Sequence, residues 1–254
     1  MNHIKTALTR SARQEPAPMR VGDITSKLAA AALSSSSPLL SSIVLAPYGV
    51  LGTAMTKTGM AEVTGPPAGS VAFVDPAGLH YIQSGPSGAG GAAGAIYAYL
   101  RIDGDEAFPP AVVEAVTAPT EAKHHAYPAG DDVIVHCIHV VGPDFRSPTF
   151  GEGKPREHAV ATLAAAYENV LAEFDASGCQ TLRLLPISGG IFAGRWRGEV
   201  AELTRHALAL ACVRVAPDVA TRLASERRIE LCIFMEQEMA SFVKVGFEPH
   251  ARKA

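Results

Sequence analysis

No apolar stretch in this 254-residue chain approaches the ~20 residues that a membrane-crossing helix needs, so no membrane span is expected. Cysteine is scarce as well. Cys137, Cys179, Cys212 and Cys232 stand far apart, with no CxxC pair among them. That spacing argues against a zinc site and against a disulfide framework, and for reduced thiols buried in apolar runs. A reducing, intracellular compartment, cytoplasmic or nuclear, follows as the expectation. Charged residues make up only 19%, too few for a disordered, strongly solvated chain. The formal net charge of −3 leaves no broad basic surface, which argues against nucleic-acid binding through phosphate neutralisation. Acids are absent before Glu15, while Lys5, Arg10 and Arg13 stand among Thr6, Thr9 and Ser11. Residues 1–18 therefore read either as a tail outside the fold or as a basic mitochondrial targeting segment.

Apolar residues are present in quantity, at 48%, and their patterning points to an α/β domain. Four short runs, at 71–74, 133–141, 181–187 and 230–235, have the continuous apolar character of strands covered on both faces. Between them, Val160, Leu163, Tyr167, Val170, Leu171 and Phe174 recur at three- and four-residue steps and predict a helix over 157–174, with Gly178 as its stop. A second helix is expected over 198–213. The serine- and proline-rich stretch at about 30–70 lacks such patterning and reads as an insertion into a single domain spanning 19–250. His124 and His125 read as a solvated turn, and His136 and His139, three apart on a strand, as lying on opposite faces.

Two glycine-rich loops carry the chemistry. The first, residues 84–94, places glycines at 85, 88, 90, 91 and 94 ahead of a helical run. Such backbone approaches a ligand without side-chain clash, and its amides beside a helix N-terminus suit a diphosphate. The second, residues 186–194, follows the strand at 181–187. In an open α/β sheet ligands bind outside the carboxyl ends of the strands, where both loops are expected. Neither loop fits a P-loop, since no Lys-Ser or Lys-Thr follows the glycines at 85–94. A dinucleotide fold is disfavoured too, because Asp103 and Asp105 lie in a polar turn.

At this point the chain resembles the macro domain, the ADP-ribose-binding module. Gly22-Asp23-Ile24-Thr25, Gly90-Gly91-Ala92-Ala93-Gly94-Ala95-Ile96, the strand ending Val140-Val141-Gly142-Pro143, and Pro186-Ile187-Ser188-Gly189-Gly190-Ile191-Phe192 occur in that family's order. The resemblance implies a three-layer α/β/α sandwich around a mixed sheet. It also implies ligand contacts: Asp23 and Ile24 at the adenine, Gly90, Gly91 and Ala92 at one phosphate loop, and Ser188, Gly189, Gly190, Ile191 and Phe192 at the other. Phe192 stands where the family usually has a tyrosine near the distal ribose. No cofactor or metal is implied.

The departures bear on catalysis. The family's strand-end Val-Asn-Ala-Ala-Asn reads here as Val74-Asp75-Pro76-Ala77-Gly78, and the aspartate of its Gly-Gly-Val-Asp becomes Ala93. Hydrogen and methyl neither accept a proton nor orient a water. The expected function is therefore binding of ADP-ribose, free or attached to protein, rather than catalysis. Two alternatives stay open. One is an ADP-ribosyl hydrolase using Asp75, His80 or Arg195 in place of the missing groups; the other is a scaffold whose pocket has decayed, with residues 30–70 as its partner surface.

Overall fold

Among the described residues seven strands form one sheet, and six of them run parallel. In this computed structural model, which describes residues 37–130 and 133–249, the described residues open with helix α1 (Pro38–Ser42), strand β1 (Ile43–Ala46) and a hairpin of β2 (Thr53–Thr56) and β3 (Gly59–Glu62). Strand β4 (Val71–Ala77), helices α2 (Leu79–Ser84), α3 (Gly91–Leu100) and α4 (Pro110–Ala115), and strands β5 (Ala122–Pro128) and β6 (Ile134–Val141) follow. Helix α5 (Arg156–Ser177), β7 (Thr181–Leu184), α6 (Val200–Arg214), α7 (Pro217–Glu226), β8 (Arg228–Cys232), α8 (Met239–Lys244) and β9 (Glu248–Pro249) complete it. The sheet order is β5-β6-β4-β7-β8-β1-β9, with only β5 antiparallel to its neighbour. This is the expected α/β/α sandwich on a mixed sheet.

Local chemistry explains the elements. Proline occupies the first helical turn of α1, α4 and α7, where its missing N–H leaves no bond unmade. Gly178 ends α5 in the left-handed conformation, φ 72°. Each face of the sheet has its own core. Phe174, Leu171 and Tyr167 of α5 and Leu208 of α6 bury against Val74, Ile138 and Leu182. On the other face Ile96 and Tyr97 of α3 and Val112 of α4 cover Phe73, Cys137 and Val135. All four cysteines are buried as free thiols.

Two parts of the chain differ from the sequence expectation. The stretch read as an insertion supplies a strand of the central sheet: β1 pairs in parallel with β8 on one side and β9 on the other. Leu39, Leu40, Ile43 and Leu45 are core residues, so this part of 30–70 cannot serve as a separate partner surface; residues 30–36 lie outside the described residues, as do residues 1–18. A four-residue strand between serines and a proline is too short to show a period. The histidines read as a turn are in edge strand β5, whose polar residues gave no apolar run. His136 and His139 do occupy opposite faces. His136 Nδ1 lies 2.9 Å from His124 Nε2, while His139 faces the core beneath α3.

Burial, and then the neighbouring His136, hold His124 down to about 4, so the folded protein keeps it neutral where the unfolded chain, at the ordinary 6.5, takes up a proton. The unfolded state therefore binds more protons between these values, and stability is lost as pH falls from about 6.5 toward about 4. Thermal unfolding across that window is expected to show a falling midpoint in the wild type and a shallower fall in His124→Gln. Equal slopes in the two proteins exclude His124 as the cause.

Candidate functional site

The parallel strands all point their carboxyl ends to one edge, and both glycine loops lie there. The first loop follows β4 through the short helix α2, and the second follows β7, which is β4's direct neighbour in the sheet. Gly90 is the N-cap of α3 and offers no capping side chain, so the first amides of that helix have no intrahelical acceptor. Gly90, Gly91 and Ala92 are exposed or nearly so. A Cβ built at Gly90 or Gly91 meets nothing within 4 Å, so bare backbone faces open space here. Tyr81 of α2 steadies this loop, its hydroxyl donating to the Gly88 carbonyl at 3.2 Å.

The second loop is pinned from below. The Ile187 amide donates to the Tyr167 hydroxyl at 2.9 Å, and the Ser188 hydroxyl donates to the Pro143 carbonyl at 2.7 Å. The Phe145 amide donates to the Phe192 carbonyl at 2.9 Å. Ser188 is buried and holds a left-handed backbone, φ 59°, uncommon for a residue with a side chain and sustained here by its hydroxyl's bond. Gly189 is half-buried, while Gly190 and Ile191 are exposed. As at Gly90, a Cβ at Gly190 meets nothing within 4 Å. Trp196 packs under the loop, lining a small void of about 10 Å³ with Ser188 and Gly189.

One feature of this edge has no counterpart in the sequence expectations. Arg146 lies 4.9 Å from the centre of the Phe192 ring, and Asp144 accepts from its Nε at 2.9 Å and its Nη2 at 2.7 Å. The Arg146 guanidinium holds the Asp144 carboxyl below its ordinary range. The only sequence cue was a charged pair two residues apart just after a buried strand.

The three catalytic candidates do not come together. Asp75 has no solvent exposure; its Oδ2 lies 2.7 Å from His139 Nδ1, on the face beneath α3. It is thus a buried structural partner and not a group open to substrate at the loop edge. His80 is exposed and its ring lies tilted at 41° against Tyr81, with ring centres 3.8 Å apart. These two rings fill the space beside Gly78, whose absent Cβ would lie 3.3 Å from His80 Nδ1. Arg195 donates to the Lys154 carbonyl and lies over the Trp196 ring at 4.3 Å. Ala93 is buried, leaving a methyl at the first turn of α3. Asp23 and Ile24 lie outside the described residues.

The closeness of Gly142 to the second loop gives a test. A Cβ there would lie 2.5 Å from Ser188 Oγ and 2.7 Å from Ile187 Cγ2. Gly142→Ala is expected to displace Ser188 and lower stability by about 1–3 kcal/mol, the usual range for overpacking. Denaturant unfolding checks it, and a loss below about half a kcal/mol, under that range, excludes tight seating of the loop.

Comparison with known proteins bears on the same region. No curated protein matches the chain. Among solved structures, a single-residue mutant of the Oceanobacillus iheyensis macrodomain is 16% identical, with 78% of this chain and 87% of that one covered and a TM-score of 0.46. The Trypanosoma brucei macrodomain in complex with ADP-ribose is 18% identical, with 90% and 91% covered and a TM-score of 0.41. An alphavirus P23pro-zbd chain is 17% identical with a TM-score of 0.41; 72% of this chain is covered, and the chain spans 23% of that protein's length. The macro domain family model matches residues 87–203, a stretch that contains Gly90–Gly94 of the first loop and Ser188–Gly194 of the second. Over those residues the chain is similar to the macro domain family.

Proposed function

We propose that this protein binds ADP-ribose, free or attached to a protein, through main-chain amides of the two glycine loops acting on the diphosphate. One observation carries the reading. Gly90 and Gly190, on loops that follow neighbouring parallel strands, both present backbone to open space with no atom near the position of a Cβ. Amide donors at a helix N-terminus favour anions, and glycine lets phosphate oxygens reach them. Phe192, half-buried with Arg146 beside its ring, is positioned to cover a ribose. The family match across both loops supports the choice of ligand. Binding without turnover follows from Gly78 and Ala93, which bring no polar side chain to the loop edge.

Because Gly90 (φ −115°, ψ 177°) has extended backbone, which other residues adopt, valine there blocks a ligand without straining the fold. Calorimetry with ADP-ribose is expected to show binding by the wild type. Gly90→Val is expected to weaken it at least roughly tenfold, about 1.4 kcal/mol, at unchanged melting temperature. No heat from the wild type at millimolar ligand rejects the proposal.

A hydrolytic reading has one observation in its favour, the exposed His80 imidazole beside Gly78. Under the binding reading, incubation with an ADP-ribosylated protein releases no ADP-ribose. Release that is abolished in His80→Ala establishes hydrolysis instead.

A further inference from the structure

The turn that faces the second loop is built around one carboxylate. Asp144 Oδ1 accepts from both the main-chain N–H and the Nε of Arg146, each at 2.9 Å, and Oδ2 accepts from Nη2 at 2.7 Å. The Ser147 hydroxyl closes the turn by donating to the Asp144 carbonyl at 2.8 Å. Between them, buried Phe145 is tied to the loop by backbone: its amide donates to the Phe192 carbonyl at 2.9 Å. Its own carbonyl lies against Gly194, where a Cβ would stand 2.5 Å away. Gly194 holds φ 53°, which suits glycine. Main chain therefore sets residues 144–147 beside residues 192–194, and Arg146 meets Phe192 as a result.

The Phe192 ring has little else to hold it. It is half-buried, yet among the described residues it belongs to neither hydrophobic core, nor to the apolar residues packed against them, and it pairs with no other aromatic ring. A phenyl ring also lacks the hydroxyl that would fix its direction by a hydrogen bond. What lies over it is the Arg146 guanidinium, 4.9 Å from the ring centre, within the range of a cation–π contact. That guanidinium is itself oriented, because a forked bond to one carboxylate fixes its plane. An exposed ion pair of this kind adds little to stability. Its effect is on geometry: Asp144 aims Arg146, and Arg146 aims the ring. A side chain ordered before a ligand arrives avoids the affinity loss of ordering it on binding.

We propose that Arg146 is a positioning residue which, held by Asp144, fixes the Phe192 ring beside the second loop and so sets a preference for ADP-ribose over nucleotides that lack the distal ribose. This role rests on the binding of ADP-ribose at the two loops and adds the residue that orients one wall of that site. Arg146 acts through the ring and not on the diphosphate. Its charge is already engaged by Asp144, so the pair as a whole presents no net charge to a phosphate.

The test is calorimetry of the full chain with ADP-ribose and with ADP, in the wild type, Arg146→Ala, Arg146→Lys, Phe192→Leu and the double variant Arg146→Ala/Phe192→Leu. Arg146→Ala is expected to lower the ratio of ADP-ribose to ADP affinity roughly two- to fivefold, the range of an exposed cation–π contact. Phe192→Leu is expected to lower it at least as far. Arg146→Ala is expected to add nothing in the Phe192→Leu background, since a residue that works only through the ring has no effect once the ring is gone. Lysine keeps the cation and loses the fork, so Arg146→Lys is expected to fall between the wild type and Arg146→Ala. A second arm needs no ligand: with Phe192 replaced by 4-fluorophenylalanine, Arg146→Ala is expected to move the fluorine NMR line as the ring is released. The proposal is overturned if Arg146→Ala weakens ADP and ADP-ribose equally, which places Arg146 on the diphosphate. It is also overturned if the effect persists in the Phe192→Leu background or if the fluorine line does not move. A wild type that binds ADP-ribose, with an unchanged ratio in Arg146→Ala, rejects this role alone; a wild type that binds no ADP-ribose rejects the binding reading and this role with it.

Discussion

The loop edge of this protein depends on main chain packing directly against main chain or against a loop side chain. At Gly94 a Cβ would overlap the Ala89 carbonyl, and at Gly142 it would overlap Ser188 and Ile187. The first contact folds its loop back onto the start of α3, and the second seats the other loop against the end of β6. Their outer surfaces, at Gly90 and Gly190, stay bare. Glycine therefore does two different things along one edge: inside, it permits close approach between segments of the protein, and outside, it leaves room for something that is not protein. The side chains that do take part act as anchors: the Tyr81 and Tyr167 hydroxyls bond loop backbone, and the Ser188 hydroxyl ties its loop to the Pro143 carbonyl.

The opposite end of α3 works on different chemistry. Beneath it a buried carboxylate–imidazole–phenol row spans β4, β6 and β5. Asp75 belongs wholly to that row. Its place at the end of β4 suggested a reacting group, yet a carboxylate without exposure and paired to an imidazole is a fixture of the core.

The remaining buried charges secure the segment ahead of β4. Arg183 of β7 lies 3.6 Å from Glu230 of β8 and donates to the carbonyls of Val50 and Gly65. The Tyr48 hydroxyl donates to the same Glu230. This group fastens residues 48–65 to the sheet face through their backbone, which explains how a stretch with no periodic apolar face is held in place.

What the sequence determined by itself was whatever depends on near neighbours. Continuous apolar runs marked β4, β6, β7 and β8, a 3.6-residue period marked α5, and glycine marked both the end of α5 and the two loops. Each of these is a statement about a few consecutive residues and the backbone they allow. Tertiary structure alone decided that Ile43–Ala46 enters the sheet between β8 and β9 and that polar Ala122–Pro128 closes its edge, because a strand's partners come from distant chain and leave no local period. It alone joined Asp75 to His139 and His139 to Tyr127, and set Arg146 beside Phe192. A side chain's role rests on what packs against it across the sheet, and that proximity is a product of folding rather than of order along the chain.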